Sequence, residues 1–176
     1  MAYTSQHSKA EEHTQQNEEM RREYLWALRQ IQAARESYSI QQALTAAREH
    51  LSMDAAYAST IDSDQQTIDS VVGDVGSMGL APGIAFPLEQ TYCSRMLRGE
   101  MPRVIPDTRL EPTVRDLAAT REIGAYIGVP VTLSDGRVHG TLCCASHGPR
   151  AQLGSDELKF MQILADIVAR LVERPA

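Results

Sequence analysis

Lysine is scarce in this 176-residue sequence, where it occurs only as Lys9 and Lys159. Together with the arginines it gives 17 basic residues against 23 acidic ones, a formal net charge of −6. Nucleic-acid binding relies on clustered basic side chains that neutralise phosphates, and an acidic chain does not attract them. Two lysines also cannot build the polybasic patch that draws a protein to an anionic membrane surface. We therefore expect neither a nucleic acid nor a membrane as a partner.

Long apolar runs, a secretion signal and low-complexity stretches are also missing. No segment approaches the roughly 18–20 consecutive apolar residues that cross a membrane. The N-terminus shows neither a basic region nor the apolar run of a secretory signal. The 11 glycines and 8 prolines are far fewer than in a low-complexity chain. With 43% apolar residues, the sequence predicts one globular domain and a short extension, located in the cytoplasm.

Cysteine is limited to Cys93, Cys143 and Cys144. The count is odd, and the two adjacent residues could pair with each other only through a strained ring. A disulfide framework is therefore not expected, which favours a reducing compartment. Cys143 and Cys144 fall in a predicted strand, so their side chains should point to opposite faces of a sheet. We interpret all three cysteines as small buried residues.

Helical spacing marks three parts of the chain. Residues 1–17 are polar and aperiodic, which is typical of a mobile tail. From residue 18 to 36, apolar side chains recur every three or four positions and predict a helix with one apolar stripe. The repeating residues are Met20, Tyr24, Leu28 and Ile31. A second helical pattern follows over 40–51, and a third over 155–172 has apolar residues on two sides, both of which should be buried.

Strand-like alternation fills the middle of the chain. Two β-rich runs, at 56–61 and 66–72, enclose an Asp-Ser-Asp turn and predict a hairpin. A second hairpin is predicted over 125–145, where Asp135 and Gly136 separate two apolar runs. The other expected pieces are a loop at 73–83, an extended piece at 84–87, a short helix at 91–98, a short strand at 103–107 and a loop at 108–122.

The segment from Gly124 to Ser146 resembles the last strands of GAF domains, where a Val-Pro-hydrophobic run, an Asp-Gly turn and a Gly-hydrophobic run recur. Pro87–Cys93 and Val104–Asp107 resemble the segments that flank the pocket helix of bacterial sensory GAF domains. The resemblance covers about residues 38–172. It implies an α+β fold with a central antiparallel sheet, the N- and C-terminal helices on one face, and a ligand pocket under loops on the other.

The resemblance also implies a small-molecule pocket beside the short helix. Its candidate ligand-binding residues are Phe86, Tyr92, Cys93, Met96, Arg103, Asp107 and Tyr126. An apolar cleft with a few converging polar groups is the usual form of such a site. The alternative is that Phe86, Tyr92 and Met96 only fill the core and that Asp107 caps the following turn. A molecule of low polarity suits this lining better than a nucleotide.

Motifs for metals and nucleotides are missing. The sequence has no Cys-x-x-Cys, no His-Glu-x-x-His, no Gly-x-Gly-x-x-Gly and no phosphate loop. Bilin-carrying GAF domains usually place a histidine directly after the chromophore cysteine, whereas Cys93 is followed by Ser94. We therefore expect no metal, nucleotide or bilin, and the cofactor, if there is one, stays unidentified.

Three functions fit these patterns. The first is a cytoplasmic sensory or regulatory module, comprising residues 37–176, that binds an unidentified small molecule and signals to a downstream protein through a homodimer. Residues 18–36 would form its dimerisation helix, together with 155–172. The second is an enzyme, a thiol-dependent reductase of the free methionine sulfoxide reductase type, using Cys93 with Cys143 or Cys144. The third is a scaffold that only dimerises. No residue is assigned a catalytic role in the first or third.

Overall fold

The computed structural model describes most of the chain after residue 38 and scattered residues before it. The described residues are 14, 15, 18, 20–22, 24–26, 28, 29, 39–74 and 76–175. The chain divides into two compact units, residues 1–36 with 176, and residues 37–175. In the first unit, the described residues are helical and exposed. Most of the predicted tail, and Ile31 of the predicted stripe, lie outside the described residues.

The second unit is built on an antiparallel sheet, which has six strands within the described residues. These strands are β1 (Ala55–Asp62), β2 (Gln65–Gly73), β3 (Ala85–Pro87), β4 (Val104–Ile105), β5 (Ala125–Thr132) and β6 (Val138–Ser146). Their order across the sheet is β3-β2-β1-β6-β5-β4. Both predicted hairpins are present, as β1–β2 and β5–β6, and β1 pairs with β6 to join them. The predicted α+β fold with a central antiparallel sheet is therefore confirmed.

The turn between β5 and β6 follows from its Asp-Gly sequence. The Leu133 amide donates to the Arg137 carbonyl oxygen over 2.8 Å, which closes the turn. Gly136 has a φ of +85°, a backbone conformation that glycine adopts without a steric penalty. The Asp135 carboxylate accepts from the Arg137 amide at 3.0 Å. These contacts set the register that places Val129 opposite Leu142 in the centre of the sheet.

Two helices cover one face of the sheet. Residues 39–50 form helix α1, and Ser155–Val172 form helix α3. The short helix α2 (Tyr92–Leu97) lies between them in the sequence. The rings of His50 and Phe160 are 4.2 Å apart and connect α1 to α3. Val129, Val131 and Leu142 are buried beneath these helices, as their apolar strand positions predict. The helical layer therefore accounts for the larger part of the core.

Helix α3 buries only one of its two apolar stripes. Met161, Leu164 and Val168 pack into the core under the helix. Ile163 and Ile167 instead stay exposed within this chain, at 59% and 44%. The sheet contacts only one side of the helix, so burial of the second stripe, which is expected in a dimer, stays a prediction.

Short irregular elements cover the other face. Helix α2 contributes to a second apolar cluster, which includes Tyr57, Ile68 and Tyr126, as do the 3₁₀ turns Pro112–Val114 and Ala118–Arg121. Two further 3₁₀ turns within the described residues are Leu88–Gln90 and Thr108–Leu110. Among the described residues, no helix is long and apolar enough to cross a membrane.

Candidate functional site

A cavity of about 720 Å³ lies on the sheet face that α1 and α3 leave uncovered. Tyr57 of β1 and Ile68 of β2 form its floor, and residues around α2 form one wall. The two predicted loops contribute its cover, since Met78 and Leu80 come from one and Leu117 from the other. The volume is in the range of roughly 300–1,000 Å³ that small-molecule sites occupy.

Three of the seven expected site residues line this cavity, namely Phe86, Tyr92 and Cys93. Met96 and Tyr126 do not, although both belong to the adjoining apolar cluster. Tyr126 is fully buried on β5, and its ring packs edge-on against the ring of Tyr92 with centroids 5.1 Å apart. Tyr126 therefore packs against Tyr92, which lines the cavity, and does not line it itself.

Arg103 and Asp107 lie away from the cavity. They flank β4, which forms one edge of the sheet, whereas the cavity lies over β1 and β2 toward the other edge. The Asp107 carboxylate accepts from the Arg109 amide and pairs with the Arg109 guanidinium at 2.7 Å. Asp107 thus caps a 3₁₀ turn, which was the structural alternative for this residue. Neither residue lines the cavity, because the strand order places β4 at the edge of the sheet opposite to β3.

Several polar residues of the cavity were absent from the sequence-based expectation. Gln66 lies on the same face of β2 as Ile68, two residues away, and is 2% exposed. A polar residue at an inward-facing strand position is the signal that could have identified it. Arg95 and Asp116 also line the cavity but are 21 residues apart, and no local pattern connects them.

Arg95 and Asp116 form a clamp at the edge of the cavity. The Arg95 guanidinium donates to both carboxylate oxygens of Asp116, at 2.7 and 2.6 Å, and also to the carbonyl of Thr113. The hydrogen bonds that Asp116 accepts from Arg95 are the main cause that lowers its pKa to about 2. The clamp ties the cover segment to α2, but because Asp116 is largely exposed the ion pair itself contributes little free energy.

Two thiols meet where the cavity reaches the sheet. The Cys93 sulfur of α2 lies 3.6 Å from the Cys143 sulfur of β6. Gln66 Nε2 donates to Cys93 Sγ over 3.0 Å, and Thr141 Oγ1 donates to it over 3.2 Å. The Tyr126 hydroxyl lies 3.7 Å from Cys93 Sγ and 3.3 Å from Cys143 Sγ. Side chains of β2, β5 and β6 thus converge on this pair.

The comparison with known families decides which fold this is. The GAF domain family model matches residues 39–172, close to the segment that resembles it in sequence. This chain belongs to the GAF domain family. No curated protein shows detectable similarity to the chain.

Solved GAF domains share its architecture. The GAF domain of an Acinetobacter phosphoenolpyruvate-protein phosphotransferase is 12% identical, with a TM-score of 0.60 over 82% of this chain and 92% of that one. GAF-B of Mycobacterium smegmatis DevS is 19% identical, with a TM-score of 0.56 over 77% and 91%. The free methionine-R-sulfoxide reductase of Neisseria meningitidis is 23% identical, with a TM-score of 0.58 over 83% and 86%. At these identities the likeness shows the fold.

The three thiols of this GAF domain differ in their acidity. Hydrogen bonds, above all from Cys143, lower the pKa of Cys93 to about 6 despite its burial. Burial raises the pKa of Cys143 well above the usual thiol range. Cys144 points to the helical face, opposite to Cys143, and there burial raises its pKa to about 12. Cys93 is therefore the cysteine that ionises most readily.

Proposed function

We propose that this GAF domain is a cytoplasmic sensory or regulatory module that binds a small organic molecule in the cavity over β1 and β2. The observation that carries the proposal is the cavity itself, about 720 Å³ in volume and covered by irregular segments. A core that only supported dimerisation would need no such space, because protein interiors are close-packed. The odd cysteine count, with two of the three residues adjacent in sequence, supports a reducing compartment.

The lining favours a ligand of low polarity. Ile68, Met78, Leu80 and Phe86 supply apolar surface, which gains free energy when a ligand displaces water from it. The positive charge of Arg95 is already matched by the carboxylate of Asp116, and no phosphate-binding loop occurs in the sequence. A nucleotide would therefore lack a counter-charge for its phosphates, whereas an aromatic or aliphatic compound with one or two polar groups fits.

Strand β1 connects the cavity with the helical layer. Tyr57 lies on the cavity face of β1, whereas Ala56 and Ala58 on either side of it pack in the core under α1 and α3. A ligand that binds one position of β1 more tightly than another shifts the balance between the two positions. Ligand binding would therefore alter the packing of α1 and α3 through β1.

Native mass spectrometry of the freshly purified protein tests ligand binding. We expect a non-covalent adduct that is lost on denaturation and can then be identified by its mass. If no adduct is present, ligand-observed NMR with a library of small aromatic and aliphatic acids, alcohols and amides tests the cavity directly. Absence of both an adduct and any hit that binds the cavity would contradict the sensory function and favour the dimerisation scaffold.

We also propose that the module is a homodimer. Met20, Tyr24 and Leu28 form an exposed apolar stripe in the first unit. Ile163 and Ile167 form another on α3 in the second unit. Exposed apolar stripes on helices are typical of surfaces that a second copy covers.

Charge placed in these stripes should separate the dimer. We expect the double variant Leu28→Asp/Ile31→Asp, and independently Ile163→Asp/Ile167→Asp, to be monomeric, because an unpaired carboxylate in an apolar interface is costly to desolvate. Sedimentation equilibrium measures the mass, which should be twice 19.4 kDa for the wild type. Gln42→Asp, at an exposed polar position of α1, is the control and should remain dimeric. A wild type that is monomeric at high concentration would contradict the proposal.

A thiol-dependent reductase of free methionine sulfoxide is the second candidate function. The separation of 3.6 Å between Cys93 and Cys143 favours it, because such an enzyme needs an attacking and a resolving thiol. The Neisseria meningitidis protein with a similar fold is a free methionine-R-sulfoxide reductase. Incubation with free methionine-R-sulfoxide and dithiothreitol tests it. A reductase would release methionine in the wild type but not in Cys93→Ala, whereas a sensory module would release none.

A further inference from the structure

The sulfur of Cys93 is the end point of a chain of hydrogen bonds. Gln66 Nε2 carries two hydrogens, of which one goes to Ser59 Oγ over 2.9 Å and the other to Cys93 Sγ. Thr141 gives its hydroxyl hydrogen to Cys93, so in the 2.7 Å contact between Ser59 and Thr141 the donor is Ser59. Every hydrogen in this chain thus has its own acceptor, and two of them converge on one sulfur.

This arrangement suits an ionised sulfur. Hydrogen bonds to a charged acceptor stabilise its charged form, and here they reach a side chain that is only 1% exposed. Cys143 lies close enough to share its S–H hydrogen with Cys93. Burial favours the neutral form of Cys143, so it remains the proton-bearing partner. One thiol of the pair is thereby prepared as a nucleophile and the other as a proton donor.

We propose that Cys93 and Cys143 form a redox-active dithiol that hydrogen peroxide or a small alkyl hydroperoxide oxidises to an intramolecular disulfide. This inference does not depend on the sensory function proposed above. It rests on the position of Cys93 at the cavity, the distance between the two sulfurs and the donors directed at Cys93. Cys144 takes no part, because it lies on the opposite face of the sheet.

The oxidation proceeds in two balanced steps. The Cys93 thiolate attacks one oxygen of the peroxide, the O–O bond breaks, and Cys93 becomes a sulfenic acid while hydroxide, or alkoxide from an alkyl hydroperoxide, leaves. The Cys143 sulfur then attacks the sulfenic sulfur, the S–O bond breaks, and the S–S bond forms as water leaves. The pair loses two electrons to the peroxide. The Cys143 proton leaves in the water of the second step, and the hydroxide or alkoxide of the first step takes a proton from the solvent. An external dithiol reverses the oxidation.

The two sulfurs need only a small movement to bond. They lie 3.6 Å apart, and a disulfide bond is about 2.05 Å long, so they must approach by about 1.5 Å. The bond would join α2 to β6 next to the cavity and fix the wall that carries Cys93. Oxidation would therefore change the cavity as well as the thiols.

The burial of Cys93 favours a small oxidant over a bulky one. A hydroperoxide needs to bring only an oxygen atom to the sulfur, and hydrogen peroxide is close to water in size. A sulfoxide must bring a sulfur that carries two carbon substituents to a side chain that is 1% exposed. A hydroperoxide should therefore react much faster than methionine sulfoxide.

Peptide mapping of the whole chain tests the proposal. The protein is reduced, freed of reductant, treated with hydrogen peroxide, then denatured and alkylated with iodoacetamide. We expect an intramolecular cross-link between the Cys93 peptide and the peptide that carries both Cys143 and Cys144, and fragmentation of the linked peptides should locate the bond at Cys143 and the alkyl group at Cys144. Cys144→Ala should keep the cross-link as the matched control. Cys143→Ala should instead accumulate sulfenic acid at Cys93, detected by dimedone. Wild-type mapping answers the question even if a variant does not fold.

Three outcomes would overturn the proposal. The first is a wild type in which Cys93 stays reduced at peroxide concentrations that oxidise free cysteine. The second is a disulfide only between chains or only through Cys144. The third is a disulfide that forms at least as fast with free methionine-R-sulfoxide as with hydrogen peroxide, which would favour the reductase. Ligand binding measured by native mass spectrometry is a separate readout, so failure of either hypothesis leaves the other testable.

Discussion

Replacing Leu142 by alanine should lower the free energy of unfolding by about 2–5 kcal/mol. Leu142 is fully buried on β6, where it pairs with Ala58 of β1 and Val129 of β5. Its side chain faces α3 in the main core cluster, which includes Met161 and Ala165. The substitution removes buried methyl groups, and the surrounding strands and helix are held from both sides and cannot close the space. Chemical denaturation followed by circular dichroism measures the change.

Leu110→Ala is the matched control for this prediction. It makes the same substitution at a side chain that is 77% exposed, in a 3₁₀ turn. We expect its free energy of unfolding to stay within about 0.5 kcal/mol of the wild type. Both variants are compared at one protein concentration, because dimerisation would add to the apparent stability. A change in Leu142→Ala no larger than that in the control would contradict the central position of β6.

The local elements were predictable because their signals are local. The alternation in 125–145 and the Asp-Gly turn specify a hairpin, and Gly136 has the positive φ that such a turn requires. The apolar spacing over 155–172 likewise corresponds to α3. In each case the residues that carry the signal lie within a few positions of one another, so no knowledge of distant contacts is needed.

The position of the site was less predictable, because it depends on strand order. Ala58 pairs with Leu142 across 84 positions of sequence, and this pairing puts β4 and β3 at opposite edges. Arg103 and Asp107 are assigned to the pocket by resemblance, yet they flank the edge strand far from the cavity. Their role in binding a ligand stays a prediction that the cavity does not support.

The pairing of Cys93 with Cys143 was likewise not predictable from local sequence. Alternation along β6 predicts that Cys143 and Cys144 face opposite ways, and they do. It does not predict which of them meets Cys93, which is 50 residues before Cys143. That choice follows from the register of β1 with β6, in which Tyr57 lies opposite Cys143. The acidity of Cys93 depends on this long-range register as well.

Filling the cavity should abolish retention of a small molecule. Ala119 lies on the 3₁₀ turn Ala118–Arg121, lines the cavity and is only partly buried. In Ala119→Phe the added ring would occupy part of the space that a ligand needs, and its apolar surface would be covered by the existing lining. We therefore expect loss of the non-covalent adduct in native mass spectrometry, with little change in thermal stability.

Ala151→Phe provides the matched control, because it adds the same ring at an exposed position in the turn before α3. It should retain the adduct at the wild-type level and should also keep every hit from the NMR library. If Ala119→Phe retains the adduct equally well, the ligand occupies another part of the molecule. If both variants lose it while remaining folded, binding depends on the surface of the domain. Only selective loss in Ala119→Phe places the ligand in the cavity over β1 and β2, where its occupancy can move Tyr57 and the strand that carries it.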